Sequence, residues 1–546
     1  MTAATAPSRI PLPVDAVLDD VRSALVERTG LVVAAPPGAG KTTRVPPAIA
    51  TLDEIAGRVV LLEPRRLAVI AAARRIAEES GAELGREVGY QVRFDRRWGT
   101  QSRIVVATEG ILVQWLLHDP LLEGVGCIVF DEVHERNVAT DQALAMALRL
   151  REVRAELRLV AMSATLDAGR FATLLADPRG DAPVVRCATR GHPVDLRFAP
   201  RPDQLPLEAR AAGAIRSLRR ELDAASDGSG EQAAVLAFFP GVGEIERCAE
   251  LLRGAAAEGG VEVPMLPLHG SLDLDRQAAA LRGAGRRVVL ATNVAESSVT
   301  VEGVRAVVDT GAERILRFDP ATGLDRLELV AISRASADQR AGRAGRTAPG
   351  ICVRLWTASE HAARAPERQP EIQRVDLAST VLALRAWGEE PAGLRWPDPP
   401  TAAQLALADE LLAALGALEG GRVTERGRRM ATLPLHPRLA ALALFAERHG
   451  MVAEGAVLAA LLAERDPFRP AAYGEAEGLS DLRSDALERW LAIADSRRGR
   501  PDPRLRRGAG RRVLQAADQI AASLGARGGS GDLRTDAAAQ QLLLRA

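Results

Sequence analysis

One lysine stands in this 546-residue chain, Lys41; every other basic residue among its 71 lysines and arginines is arginine. Arginine cannot replace lysine where a compact ammonium on a thin stem is needed, so the one exception marks a position that demands it. The neighbours agree. The apolar run Leu31–Ala34 leads into Ala35-Pro36-Pro37-Gly38-Ala39-Gly40-Lys41-Thr42-Thr43, and a helical pattern follows. Small residues at Pro37, Gly38, Ala39 and Gly40 let backbone N–H groups close around phosphate oxygens, and a helix N-terminus at Lys41–Thr43 adds partial positive charge. Lys41 then reaches the β- and γ-phosphates of ATP or another nucleoside triphosphate, and the Thr42 hydroxyl ligates Mg²⁺. The generic phosphate-loop pattern has glycine where Ala35 stands.

Two further clusters suit the same chemistry. The apolar run Ile128–Phe130 ends in Asp131-Glu132-Val133-His134. An aspartate at a strand's carboxyl end holds Mg²⁺, and the adjacent glutamate activates an attacking water. Such a run alone is ordinary surface; after a phosphate loop, at the carboxyl end of a parallel strand, it is a site. The segment Gln339–Arg346 places Arg340, Arg343 and Arg346 at every third position. On a helix these share a face and repel one another unless an anion sits there, and a triphosphate suits guanidinium geometry. Ser163-Ala164-Thr165 gains meaning only because it follows the acidic motif.

The elements that position these residues follow from short apolar runs alternating with helical patterns. Leu31–Ala34, Val59–Leu62, Ile104–Ala107, Ile128–Phe130 and Leu159–Met162 form one set. Val235–Phe239, Val288–Ala291, Val304–Val308 and Ile351–Leu355 form a second, beyond the proline-rich Pro193–Pro206. Helical patterns such as Leu67–Ser80 and Asp141–Arg154 lie between them. Continuous apolar strands between helices indicate parallel sheets covered on both faces, hence two α/β domains. After Trp356 the stretches Ala403–Leu418 and Leu439–Leu462 predict helices, and Glu419–Arg428 predicts a small turn or wing.

Composition bounds the class. Formal charge is zero, so any basic track is local. No apolar run reaches spanning length, and Met1–Pro13 lacks a signal pattern, which predicts a soluble protein without membrane partners. Cys127, Cys187, Cys248 and Cys352 are scattered with no CxxC pair, which argues against zinc or a disulfide framework and fits a reducing cytoplasm.

With these residues assembled, the chain resembles the superfamily 2 DEAH/DExH helicases, and among them the bacterial HrpB type. The resemblance runs from about Val14 to Leu462 through ordered motifs: Ala35–Thr43, Glu63-Pro64-Arg65-Arg66, Thr108-Glu109-Gly110, Asp131–His134, Ser163–Thr165, Leu268-His269-Gly270, Ala291-Thr292-Asn293 with Glu296-Ser297-Ser298, and Gln339–Arg346. It implies two tandem RecA-like domains, 1–192 and 193–358, then a winged-helix-like segment, 359–430, and a helical region, 431–546. It implies that Glu132 is the general base, that Gln339 positions the lytic water, and that Arg343 and Arg346 are arginine fingers. His134, Ser163 and Thr165 would couple hydrolysis to domain movement. Arg65, Arg66, Thr108, His269, Thr292 and Asn293 would follow a nucleic-acid backbone. Arg314–Glu328 would be a strand-separating hairpin. Arg75 would stack on the nucleotide base, opposite an aromatic whose place is taken by Ala312. The acidic motif reads DEVH where the type sequence is DEAH.

The function implied is a monomeric, ATP-dependent helicase or translocase on single-stranded RNA. Two alternatives stand beside it: a DNA helicase or translocase, and a nucleotide-gated clamp that does not unwind. No residue in the sequence identifies a 2′-hydroxyl reader. The eight arginines of Arg497–Arg512 have two readings, a solvated linker or a supplementary RNA track.

Overall fold

The computed structural model describes residues 11–93, 95–164, 168–187, 192–201, 204–224, 233–257, 263–272, 274–282, 285–296, 300–464, 466–468, 485–500, 502–506 and 508–525. Thr165, one of the coupling residues, lies outside them.

The first sheet is built from β1 (Gly30–Ala34), β2 (Arg58–Leu62), β3 (Val88–Val92), β4 (Asp95–Arg97), β5 (Ile104–Ala107), β6 (Val125–Phe130), β7 (Arg158–Ser163) and β8 (Val184–Arg186). Their order is β4-β3-β5-β2-β6-β7-β1-β8, parallel except at the β3–β4 edge. The second sheet takes β9 (Val194–Phe198), β10 (Ala234–Phe238), β11 (Met265–Leu268), β12 (Arg287–Ala291) and β13 (Val304–Asp309). The hairpin β14 (Ala312–Asp319) and β15 (Leu324–Ala331) then leaves the domain, and β16 (Gly350–Arg354) returns. The second sheet is parallel throughout, in the order β11-β12-β10-β13-β16-β9. Every residue of β1, β6 and β10 is buried, as strands covered on both faces require.

In such sheets a ligand crevice opens at the carboxyl ends of the strands, where connections diverge to opposite faces. The phosphate loop follows β1, Asp131 follows β6, and Ser163 ends β7, three neighbouring strands. Arg65 follows β2 and Thr108 follows β5, on the other side of β6.

The carboxyl-terminal region is helical, and one continuous core joins it to the first sheet: Val32, Val60, Leu144 and Leu148 share a cluster with Leu382, Trp396, Leu442 and Trp490. Two expected helices end differently. Leu439–Leu462 divides into Pro437–Arg448 and Val452–Ala463, because Gly450 between them takes a left-handed φ of 69°. The helix expected over Ala403–Leu418 stops at Ala414, and the left-handed Gly416 follows. Leu418–Glu419 then pairs with Arg422–Val423 as a two-stranded wing.

Candidate nucleotide and nucleic-acid site

Gly38 and Gly40 adopt φ of 85° and 92°, which folds the loop back before the helix Lys41–Ala50 begins. Gly40 is also fixed by space. A Cβ there would lie 2.6 Å from Leu12 Cδ1, and Val14 N–H donates to the Ala39 carbonyl at 3.0 Å. The loop therefore rests on the amino-terminal turn, a contact the sequence did not announce. At its other end the Ser163 carbonyl accepts from Ala35 N–H at 3.0 Å.

Lys41, Asp131 and Glu132 are all buried. Lys41 Nζ donates to Glu132 Oε1 at 2.7 Å and stands 3.6 Å from Asp131 Oδ1. The Thr42 hydroxyl donates to Asp131 Oδ2. Burial alone would lower the Lys41 ammonium, but Asp131 and Glu132 reverse this and leave its pKa raised. For Glu132 burial opposes ionisation, yet Lys41, His134 and Arg343 hold its pKa down to about 2. Burial raises Asp131, and raises Glu63 well above the usual carboxylate range with help from Asp131 and Glu132. Glu63 belongs to a quoted motif, but a buried acid there was not foreseen. Glu132 itself occupies the left-handed region at φ 50°, a position a glutamate takes only when the surroundings enforce it. His134 Nδ1 lies 3.4 Å from both Glu132 Oε2 and Ala164 N, which ties it to the end of β7.

Across the cleft, the three arginines do not share a helix face. The helix Arg334–Ala341 carries Gln339 and ends before Arg343. Arg340 turns inward, donating to Glu296 at 2.8 Å and Asp309 at 3.0 Å. Those two buried carboxylates, distant in sequence, are the anions that Arg340 answers. Arg343 donates to the Glu296 carbonyl and lies close enough to Glu132 to favour its charge. A Cβ on Gly38 would lie 3.9 Å from Arg346 Nη1, so this side chain reaches the phosphate loop. Burial, then repulsion by Arg346, pushes Arg343 well below its ordinary value; burial takes Arg346 down to about 10. Arg343, whose charge both burial and Arg346 disfavour, and the half-buried Arg346 beside it define a place for an anion.

Of the nucleic-acid candidates, Arg65, Arg66 and Thr108 lie beyond β6 in the first domain, and His269, Thr292 and Asn293 follow β11 and β12 in the second. Arg65 bridges the domains, donating to the Val294 carbonyl at 2.9 Å and to Glu135 at 3.2 Å. Arg66 is exposed, Thr108 precedes the helix Glu109–His118 without a side-chain capping bond, and Thr292 and Asn293 follow β12 half-buried. His269 Nδ1 pairs with Ser271 Oγ at 2.7 Å. A cavity of about 540 Å³ between the domains is lined in part by Arg65, His134, Asn293 and Gln339, joining both groups of candidates. Arg75 is exposed and donates to Glu79. In the carboxyl-terminal arginine stretch, Arg504 pairs with Glu488 and with Asp502 at 2.8 Å, and Arg506 donates to the Phe468 carbonyl at 2.8 Å. Arg504 is thus held by carboxylates, and Arg507, the third arginine of the supplementary track, lies outside the described residues. Among the described residues no helix is long and apolar enough to cross a membrane, and no cluster of three His, Cys, Asp or Glu suits a metal.

Comparison with known proteins agrees with this layout. Residues 19–172 match the DEAD/DEAH box helicase family, 214–348 the helicase conserved C-terminal domain, and 410–435 the winged-helix helicase associated domain HA2. The chain is 41% identical to the ATP-dependent RNA helicase HrpB of Escherichia coli over 83% of its own length and 55% of that protein. It is 34% identical to the ATP-dependent RNA helicase HrpA of the same organism over 84% of its length and 35% of that protein. A crystal structure of Escherichia coli DEAH/RHA helicase HrpB superposes with a TM-score of 0.81 at 39% identity, covering 95% of this chain and 61% of that one. The chain thus spans about half the length of its HrpB relative, and it belongs to the DEAD/DEAH-box helicases, within them to the HrpB type.

Proposed function

We propose that the chain hydrolyses ATP or another nucleoside triphosphate between its two sheets and uses the cycle to move along single-stranded RNA. One observation carries the reading: the buried Lys41–Glu132 pair on one domain faces the buried Arg343 and the half-buried Arg346 on the other. Phosphate entering there satisfies both arginines and draws Lys41 away from Glu132. Gly38–Thr43 cradle the phosphates with backbone N–H groups, and Pro37, which has none, shapes the turn that leads into them. Thr42 and Asp131, two hard oxygens already in contact, would hold Mg²⁺. When bound, that ion neutralises charge at the phosphates. Glu132 is ionised at neutral pH and takes the proton of the attacking water, which Gln339 orients. Arg343 and Arg346 stabilise the charge that develops as the terminal bond breaks.

His134 and Ser163 pass the change to the cleft edge through Ala164, and Thr165 belongs with them. Arg65, Arg66, Thr108, His269, Thr292 and Asn293 track the RNA backbone. RNA is preferred to DNA because both Escherichia coli relatives carry the name ATP-dependent RNA helicase. Steady-state ATPase with poly-RNA, poly-DNA and no polymer tests this. Stimulation by RNA alone supports the reading; equal stimulation by DNA transfers it to DNA; no stimulation by either leaves a nucleotide-gated clamp.

A further inference from the structure

A strap running from Arg364 to Arg374 crosses from the second domain to the first. Arg364 Nη1 donates to the carbonyls of Gly311 at 2.8 Å and Ile332 at 3.0 Å. The N–H groups of Arg334 and Ala335 donate to the carbonyls of Ala365 and Pro366. Farther along, Glu371 N–H donates to the Arg136 carbonyl at 3.0 Å, and its carboxylate accepts from Val138 N–H at 2.9 Å, both in the first domain. Midway sits Arg368. Its guanidinium grips Glu313 at 3.1 and 2.7 Å and touches Glu296 Oε1 at 3.3 Å.

Those two carboxylates belong to different machines. Glu296 is part of the cleft: its carbonyl accepts from Arg343, and its carboxylate accepts from Ser336 and from Arg340, on the helix that carries Gln339. Glu313 is the second residue of β14, at the foot of the hairpin, and is 3% exposed. We propose that Arg368 is a positioning residue that transmits the state of the Arg343–Arg346 cleft to the β14–β15 hairpin. The inference rests on the cleft being the nucleotide site.

The physical logic is that of a rigid fork. When phosphate draws Arg343, its bond to the Glu296 carbonyl is exchanged and Glu296 resettles. Arg368 is planar and bidentate on Glu313, so it carries the displacement to the hairpin foot instead of absorbing it. The hairpin is eight residues deep in each strand, a lever of roughly 25 Å at about 3.3 Å per residue, so a small shift at the foot is enlarged at the tip. The tip rests on the helical region, where Arg438 donates to the Gly323 carbonyl at 3.1 Å and Asp376 N–H donates to Asp325 at 3.0 Å.

A thiol-reactive fluorophore on Leu324→Cys, an exposed residue beside the hairpin turn, reads the tip; the four native cysteines are buried. Emission of the full chain is compared with ADP and with ADP plus beryllium fluoride. Arg368→Ala reduces the nucleotide-dependent change by about fivefold or more, the low end of a coupling free energy, while ADP affinity and hydrolysis without RNA persist. Glu313→Gln gives the same reduction, and the double variant no more than either, because both break one link. An Arg368→Ala protein that keeps the full change overturns the coupling and leaves the functional reading intact, as do losses that add. A wild-type hairpin that responds to nucleotide without RNA-stimulated turnover does the reverse.

Discussion

Lys41 Nζ lies 2.7 Å from Glu132 Oε1, and both side chains are almost wholly withdrawn from solvent. The cation that would bind phosphate and the carboxylate that would activate water therefore neutralise each other. Removing one partner of a buried pair leaves an uncompensated charge and costs about 3–5 kcal/mol. Lys41→Ala is expected to abolish hydrolysis, weaken nucleotide binding and lower the Tm. Glu132→Gln is expected to lose turnover but keep nucleotide binding, since Asp131 and Thr42 are untouched. Turnover assays and titration with a fluorescent nucleotide separate the two. Wild-type turnover in Lys41→Ala would show that the phosphate loop is misassigned.

Arg343→Ala and Arg346→Ala are expected to lower turnover far more than affinity, because they face charge that develops in the transition state. Loss of one finger costs on the order of 10³-fold or more in rate. A variant that lost only affinity would place its arginine outside the reacting centre. Arg340→Ala behaves differently: it strips Glu296 and Asp309 of their buried cation, so the first change to measure is thermal stability.

Contiguous motifs made the phosphate loop and the acidic strand end legible, since each is one strand, one turn and one helix start. The strands were legible for the same reason: unbroken apolar runs such as Val59–Leu62 have no other stable use between helices. What escaped was set by distant partners. Arg340 is drawn inward because Glu296, after the turn Asn293–Ala295, and Asp309, at the end of β13, offer it their carboxylates, and nothing in the spacing of three arginines encodes them. Leu12 under Gly40 and Arg368 between two glutamates are likewise long-range. The break within Leu439–Leu462 was signalled locally by Gly450, a residue suited to ending a helix, and the alanine–leucine richness on either side masked it.

Glu109 offers a pH test of the core. It is 2% exposed, accepts from the Thr140 hydroxyl at 2.9 Å, and burial raises its carboxyl to about 7. A folded pKa above the unfolded value near 4.5 means the folded state holds the proton more tightly. This contribution to stability is complete below about pH 4.5 and is lost as pH rises through 7. Glu109→Gln cannot titrate. Its stability relative to wild type is expected to rise from pH 5 to pH 8 by up to about 3 kcal/mol, at 1.36 kcal/mol per unit. Chemical denaturation at the two pH values measures it, and a constant difference would show that Glu109 is ionised throughout.

Arg504 is expected not to act as an RNA contact, because Glu488 and Asp502 already occupy its guanidinium. Arg504→Ala should leave the salt dependence of RNA binding unchanged, whereas a lost phosphate contact flattens the slope by about one unit. The cost to stability should be about 1 kcal/mol or less, as for other exposed pairs. A flattened slope would restore the track.

Nucleotide choice depends on Ala312. Gly311 before it has φ 75°, and a Cβ there would lie 2.5 Å from Trp356 and 2.6 Å from Arg364, so no aromatic fits at that position. Ala312, half-buried at the start of β14 opposite Ala331, is where an aromatic could project. A methyl offers no stacking surface, and Arg75, the proposed partner on the other side, is shared with Glu79. A base held from one side by a guanidinium gains about 1 kcal/mol and is not read at its hydrogen-bonding edge. Binding then comes from phosphates, Mg²⁺ and ribose, which all nucleotides share. ATP, GTP, CTP and UTP are therefore expected to be hydrolysed with kcat/KM values within roughly tenfold, a window of about 1.4 kcal/mol. Ala312→Phe should tighten nucleotide binding without creating strong base preference. A preference for ATP near a hundredfold, about twice that window, would require a base-reading contact and would refute the one-sided clamp.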